Sequence, residues 1–362
     1  MIQLTAIQLI TLLAVFNGLI FSLLILDKKE NKVANRFLAL LIVSMCFSFT
    51  PYVLENMVWY KYRWLVWLPL SLSYWIGPSF YFYVKALTQE FKFQKKHLWY
   101  FSPIILNFVH STYHFFYQEG NPFPYFHKFT ELLESLAIII IFIFTLLSYR
   151  LLVRYAAKLY NQYSNVEKIT LSWLKNLAVV VMSAFAMVAA YLIISGSFLG
   201  KKNLDYWNTY KFICIVVYIL MLQWLVIKGY KQAPTAPLFI NVSNEPEIKE
   251  TSSVIVQLQK IIVEKHLYRN PELTLADLSK SVGLSERTIS AAINNELNKN
   301  FYRFINEYRV EEVKAKLRDP KFDHMKILSI ALDSGFNSKA SFNRIFKSYV
   351  GQTPLQFKSS KS

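Results

Sequence analysis

Near the C-terminus, a short stretch of sequence combines basic, amide and hydroxyl side chains at helical spacing. From Lys339 onward, apolar residues recur every three or four positions, which predicts a helix with one buried face. The buried stripe comprises Phe342, Ile345, Phe346 and Tyr349. The opposite face and its flank comprise Ser338, Lys339, Ala340, Ser341, Asn343, Arg344 and Lys347. Arginine and lysine suit guanine edges and phosphates, and asparagine suits adenine, so this face predicts contact with double-stranded DNA.

The residues before this helix predict a tight connection to a preceding helix. A short amphipathic segment lies near Lys326–Ser334, Gly335 provides a turn, and Ser338 is a favourable N-cap. Two short helices joined in this way have helix-turn-helix geometry, in which the second helix presents its outer face to the major groove.

The same pattern occurs once earlier, in Leu273–Leu297. Thr274 is predicted to cap a first helix, Gly283 to form the turn and Ser285 to cap the second helix. The predicted buried stripe is Ile289, Ala292, Ile293 and Leu297, and the predicted exposed face is Arg287, Ser290, Ala291 and Asn294. One such hairpin is a moderate signal, and two in series are far more specific.

A single helix is predicted between the two units, over Phe301–Asp319. At 1.5 Å per residue it would be about 28 Å long. One turn of B-DNA is ~34 Å, so a rod of this length could place two recognition helices in successive major-groove faces.

Residues 254–358 resemble the DNA-binding domain of the AraC/XylS family of bacterial transcription regulators. The resemblance rests on Gly335, Phe336, Phe342, Arg344, Phe346, Lys347, Gly351, Thr353, Pro354, Phe357 and Lys358. It implies sequence-specific DNA binding through both units, often by a dimer. It assigns Arg287, Ser290 and Ala291 to the first reading face, and Lys339, Ala340 and Arg344 to the second.

Three positions depart from the pattern of this family. Ala291 and Ala292 replace a basic and a larger residue, which predicts weaker reading by the first unit. Asn298 replaces a common glycine, and asparagine tolerates the left-handed conformation that this position requires.

The first 250 residues have a different composition. They contain seven mostly apolar runs of about the length that a bilayer-spanning helix needs, at 3–26, 36–55, 64–87, 97–117, 131–153, 173–199 and 207–228. The last 112 residues carry 18 Lys and Arg against 11 Asp and Glu, as a basic soluble domain would. The expected fold is therefore all-α, with a seven-transmembrane helical bundle followed by a soluble helical domain that contains two helix-turn-helix units.

Few residues of the predicted bundle could bind a signal. His110 and His114 lie four apart in the fourth run, and Glu131 and Glu134 begin the fifth. A His–His–Glu set could bind a metal, but interfacial side chains and helix-terminal glutamates are the simpler interpretation. The third interpretation is that these residues line a pocket for a small molecule or peptide. Cys46 and Cys214 are isolated and give no zinc spacing; no metal or cofactor is expected.

These observations predict a transmembrane domain at 1–228, a linker at 229–252 and the DNA-binding domain at 253–362. The expected function is that of a membrane-bound, one-component transcription regulator, not an enzyme, in which a signal of unknown identity acts on the bundle. The alternative is a membrane enzyme or transporter with an autoregulatory DNA-binding tail. Ionisable groups are nearly absent from the middle of the runs, which argues against transport.

The distribution of Lys and Arg predicts the topology in a bacterial inner membrane. Loops on one side, with the segment after the last run, hold 15 of these residues, whereas the other side holds 6. Because basic loops stay in the cytoplasm, we expect an outside N-terminus and a cytoplasmic C-terminus. Reporter fusions at Gly120 and Ser362 should report opposite sides of the membrane, and the same side for both would contradict the count of seven spans.

Overall fold

The computed structural model of the chain describes residues 6–54, 72–109, 126–167, 169–198, 204–233, 235 and 251–360. The described residues are mostly helical, and no named β-strand occurs among them. They divide into two compact units. Unit 1 comprises residues 1–153 and 171–239, and unit 2 comprises residues 154–170 and 240–362.

Unit 1 is built from long apolar helices. They are α1 (Ala6–Asp27), α2 (Lys32–Leu54), α3 (Ser73–Thr88), the first part of α4 (Phe126–Gln162), α5 (Ser172–Phe198) and α6 (Leu204–Tyr230). The predicted run at 97–117 begins instead with a 3-10 helix, Lys95–Phe101, followed by helical residues 104–109. Residues 110–125 lie outside the described part of the chain.

Two described segments are long and apolar enough to cross a membrane, Gln8–Asp27 and Ser135–Gln162. Two further apolar segments, Ser172–Ala186 and Ile215–Tyr230, are shorter than a full span. The described residues therefore agree with an all-helical, apolar N-terminal part, and the seven-span bundle stays a prediction.

Close helix packing in unit 1 depends on small and amide side chains. A Cβ on Gly77 of α3 would lie 3.1 Å from the Cα of Ile141 on α4, so glycine allows the two backbones to approach. The Asn17 amide on α1 donates to Oε1 of Gln223 on α6 over 2.6 Å. An amide pair between apolar helices leaves neither group without a hydrogen bond and fixes the register of the two helices.

The described residues of unit 2 form seven α-helices, two short 3-10 helices and one segment that is distant in sequence. The helices are α7 (Thr251–Glu264), α8 (Leu275–Val282), α9 (Glu286–Leu297), α10 (Phe301–Arg318), α11 (Ile327–Asp333), α12 (Lys339–Val350) and α13 (Pro354–Ser359). The distant segment is residues 154–170, which we call the arm; it contains the end of α4 and the connection to α5. The sequence assigned the arm to the membrane part, whereas the structure groups it with the helices of unit 2.

The predicted buried stripes form two cores in unit 2. Ile289, Ala292 and Ile293 of α9 are fully buried among residues of α7, α8 and α10. In the second half, the rings of Phe336, Phe342, Phe346 and Phe357 contact one another in series, with centroids 5.2–5.6 Å apart. The helical periodicity of the sequence therefore identified both cores, but it was wrong for Tyr349, which was placed in the buried stripe of α12 and is 38% exposed.

Arg309 of α10 is the largest fully buried side chain, at 2% exposure. Its guanidinium donates to the carbonyls of Tyr268, Asn270 and Ser164, to the Ser164 hydroxyl and to the Asn306 amide oxygen, over 2.7–3.3 Å. Burial lowers the pKa of Arg309 to about 10, which still leaves it charged at neutral pH. One charged group therefore joins α10, the segment before α8 and the arm.

We expect Arg309→Met to destabilise unit 2 by about 2–4 kcal/mol, because a side chain of similar length would leave several buried acceptors without donors. Hydrogen exchange of the α10 amides in the full chain measures this loss. The matched control is Arg303→Ala on the exposed face of the same helix, which should change stability by less than about 0.5 kcal/mol. Equal exchange in the two variants would show that the Arg309 network is not needed.

Candidate nucleic-acid interface

The first helix-turn-helix unit begins and ends at the residues that the sequence predicted. The Asp277 N–H donates to Thr274 Oγ1 over 3.1 Å, and the Thr274 N–H donates to the Asp277 carboxylate over 3.0 Å, which caps α8. Gly283 ends α8 with φ +75°, and Ser285 Oγ accepts from the Thr288 N–H over 3.2 Å to cap α9. These contacts confirm both caps and the turn.

The outer face of α9 is small and weakly charged. Arg287 and Asn294 are exposed, and Ser290 and Ala291 are partly exposed. The Asn294 amide donates to Ser290 Oγ over 3.3 Å. All four predicted residues are accessible, and Arg287 is the cation among them.

The second unit repeats this construction between α11 and α12. Gly335 adopts φ +94° after α11, and Ser338 Oγ accepts from the Ser341 N–H over 3.1 Å to cap α12. A Cβ on Gly335 would lie 2.4 Å from the Tyr268 carbonyl oxygen. Glycine is therefore required here both by the conformation and by the close approach of another backbone.

The outer face of α12 carries more charge than that of α9. Its exposed residues are Lys339, Ala340, Asn343, Arg344 and Lys347. Ser338 is partly exposed, and Ser341 is buried at 5% exposure. The placement of Ser341 on the DNA-facing flank was therefore wrong, because the side chain is four residues before Ile345 and belongs to the buried side of the helix.

Arg344 makes a specific contact within unit 2. Its Nη2 donates to the hydroxyl of Tyr302 on α10 over 3.2 Å. Burial raises the pKa of Tyr302, so the phenol stays protonated at neutral pH. The guanidinium of this exposed residue is thus held at one nitrogen.

The connecting helix α10 has 18 residues, against the 19 predicted, and is about 27 Å long at the usual rise. It contacts both helix-turn-helix units, and Phe301, Phe304 and Ile305 belong to the first core. Towards the second unit, the Tyr349 hydroxyl of α12 donates to the Arg303 carbonyl over 2.7 Å. The single helix α10 therefore fixes the positions of α9 and α12 relative to each other.

The arm makes contacts with both helix-turn-helix units that the sequence did not indicate. Tyr163 forms an antiparallel bridge with Thr274, and Ser164 donates from its N–H and its hydroxyl to the Leu273 carbonyl, over 3.1 and 2.7 Å. The Ser338 hydroxyl donates to Oε2 of Glu167 over 2.6 Å. The arm is therefore bound both at the start of the first unit and at the cap of α12.

The sequence of α10 contains one indication that residues from outside this helix contact its buried face. Apolar residues recur every four positions along α10 at Phe301, Ile305, Val313 and Leu317, and Arg309 occupies the remaining position of that series. An arginine on a buried stripe requires acceptors from outside the helix. The identity of those acceptors had no local signature, since Tyr268 and Asn270 are about 40 residues away and Ser164 is 145 residues away.

The predicted sensing residues cannot be placed in the same detail. His110 and His114 lie outside the described residues. Glu131 and Glu134 lie on α4, but their side chains are also outside the described part. Within the residues that are described, no group of three or more His, Cys, Asp or Glu side chains is arranged to hold a metal ion.

Unit 1 contains an apolar cavity of about 240 Å³ among α2, α3, α4, α5 and α6. Its lining is hydrocarbon except for the hydroxyls of Thr145 and Tyr218, which donate to the carbonyls of Ile141 and Met45 over 2.8 and 3.2 Å. Both hydroxyls thus have backbone acceptors, and the surface of the cavity suits an apolar group.

Comparisons with known proteins agree with the geometry of unit 2. The family described as "Helix-turn-helix domain" matches residues 278–360. An uncharacterized HTH-type transcriptional regulator of Staphylococcus aureus strain COL is 38% identical over 96 residues, which are 26% of this chain and 12% of that protein. The Msm operon regulatory protein of Streptococcus mutans is 25% identical over 114 residues, which are 32% of this chain and 39% of that protein.

A solved structure of a Listeria innocua protein of unknown function covers 29% of this chain and 95% of its own, with 24% identity and a TM-score of 0.26. The family matches the C-terminal part of the chain, and the chain spans a minor part of each regulator. Residues 278–360 are therefore similar to a helix-turn-helix domain.

Gly335→Ala should destabilise the second unit by about 3 kcal/mol or more, because a positive φ and a backbone clash act together. Gly283→Ala is the matched control, since Gly283 also has positive φ but a Cβ there would meet nothing within 4 Å. Gly283→Ala should lower the free energy of unfolding by about 1–2 kcal/mol. Hydrogen exchange of the helix that follows each glycine measures both losses. Equal losses would show that the contact with Tyr268 imposes no constraint.

Proposed function

We propose that the chain is a membrane-bound transcription regulator that binds double-stranded DNA through α9 and α12. The observation that carries this proposal is the pair of capped second helices with exposed polar and basic faces, held apart by α10. A phosphate-rich groove attracts such faces electrostatically, and the side chains on them can read base edges. The two regulators that match this part of the chain support the same activity.

The membrane part of the proposal rests on the apolar helices of unit 1. α1 and α4 contain segments long enough to cross a bilayer, and the bias of Lys and Arg favours a cytoplasmic unit 2. In this arrangement a signal acts on unit 1 and changes DNA binding by unit 2, in one chain. Two copies are proposed to bind the DNA together, which rests on the family resemblance.

Binding by the full chain tests the proposal. The protein in lipid nanodiscs would be used to select duplexes from a library with a random 30-base-pair core, and fluorescence anisotropy would then compare selected and unselected duplexes. We expect tighter binding to the selected duplexes, with an affinity that falls steeply as salt rises. Selection without enrichment, or binding insensitive to salt, would contradict the proposal.

Arg344→Ala and Lys347→Ala should have different effects on the same duplexes. Arg344 lies midway along α12, where a guanidinium suits a guanine edge, so its loss should cost about 1–3 kcal/mol on the selected site and relax the preference there. Lys347 lies one turn later, nearer the phosphates. Its loss should weaken all duplexes alike and lower the salt slope by about one.

Tyr302→Phe is the control for Arg344, because it removes the acceptor of the arginine and keeps the packing. If Arg344 only supports the fold, Tyr302→Phe and Arg344→Ala should reduce stability and affinity equally, with no change in sequence preference. That outcome would show that Arg344 does not read bases.

A further inference from the structure

The arm lies against the helix that we propose to read DNA. Glu167 accepts a hydrogen bond from Ser338, which caps α12 and is itself one of the predicted DNA-contacting residues. Glu167 is exposed, and it is the single acidic residue in the sequence of the arm. A negative charge therefore lies at the N-terminal end of the reading face, where an approaching phosphate would also be drawn.

A second contact leads from the arm to Arg344. The ring of Tyr160 packs edge-on against Tyr302, with centroids 5.1 Å apart, and the Tyr302 hydroxyl accepts from Arg344. The arm thus contacts Ser338 directly and Arg344 through one intermediate side chain.

The arm is firmly held at this place in unit 2. Ser164 and Val166 are almost completely buried. The Asn306 amide and the Arg309 guanidinium both donate to the Ser164 carbonyl, over 3.0 and 3.3 Å. The contact of Glu167 with α12 therefore does not depend on the Glu167–Ser338 hydrogen bond alone, because the neighbouring residues are anchored independently.

From these contacts we propose that the arm is autoinhibitory: Glu167 competes with the DNA backbone for the N-terminal end of α12 and must leave Ser338 when DNA binds. This inference rests on the proposed function. The anchor at Ser164 stays in place while the Glu167 end moves. Both ends of the arm continue into helices of unit 1, so that a change in those helices acts on the residues that hold Glu167.

The test compares wild-type chain and Glu167→Gln in lipid nanodiscs, with the duplexes that the wild-type chain selects. The substitution keeps the size of the side chain and removes its charge. A hydrogen bond to a carboxylate is roughly twice as strong as one to an amide oxygen, so the loss of the charge predicts that Glu167→Gln binds about 3- to 10-fold more tightly. The matched control is Glu264→Gln, which removes the same charge from α7, where Glu264 pairs with Lys260. It should change affinity less than 2-fold.

Each outcome has one meaning. A gain in DNA affinity for Glu167→Gln that exceeds the gain for Glu264→Gln supports autoinhibition. Equal affinity of Glu167→Gln and wild type, or an equal gain in both variants, overturns it and leaves the proposed function intact. Weaker binding by Glu167→Gln also overturns it, because Glu167 would then support the reading helix. If neither wild type nor variant binds any duplex above an unrelated membrane protein, the proposed function itself fails and this inference fails with it.

Discussion

The fold of unit 2 depends on the burial of one guanidinium. Arg309 satisfies acceptors from α10, from the segment that precedes α8 and from the arm, and a buried cation is tolerated only when such acceptors surround it. The same interaction positions both reading helices. It fixes Asn270 shortly before the capping box of α8, and it lies on the helix whose Tyr302 binds Arg344 of α12. The arm contributes Ser164 to this network, so the DNA-binding domain is completed by residues from the other part of the chain.

The charge of the reading surface follows from this framework. α9 offers one exposed arginine among small polar residues, whereas α12 offers two lysines and an arginine. We therefore expect the second unit to provide most of the phosphate attraction, and the first unit to contribute by shape and hydrogen bonding. Glu167 opposes the attraction at one end of α12, which gives the chain a means to adjust its affinity without any change in the reading residues.

Local features of unit 2 could be predicted from the sequence because local chemistry determines them. Thr274, Ser285 and Ser338 cap the helices that the pattern of side chains predicted, and Gly335 has the positive φ that its place in the turn requires. Ser341 was misplaced because it sits at the boundary between two faces, where helical spacing alone does not decide burial. The docking of the arm could not be predicted, since Ser164 and Glu167 carry no pattern that points to partners over a hundred residues away. In the membrane part, composition predicted apolar helices, but hydropathy does not determine how many of them cross a bilayer.

The central claim, that α9 and α12 read DNA together from a chain attached to the membrane, predicts a particular form of binding site. If α10 holds the two helices about one turn of the duplex apart, each site should contain two conserved elements about 10 base pairs apart. Chromatin immunoprecipitation of the full chain from its own cells measures this directly. The account predicts discrete enriched sites that share the two-element motif. Enrichment that is uniform along the chromosome, or sites with a single short element, would contradict it.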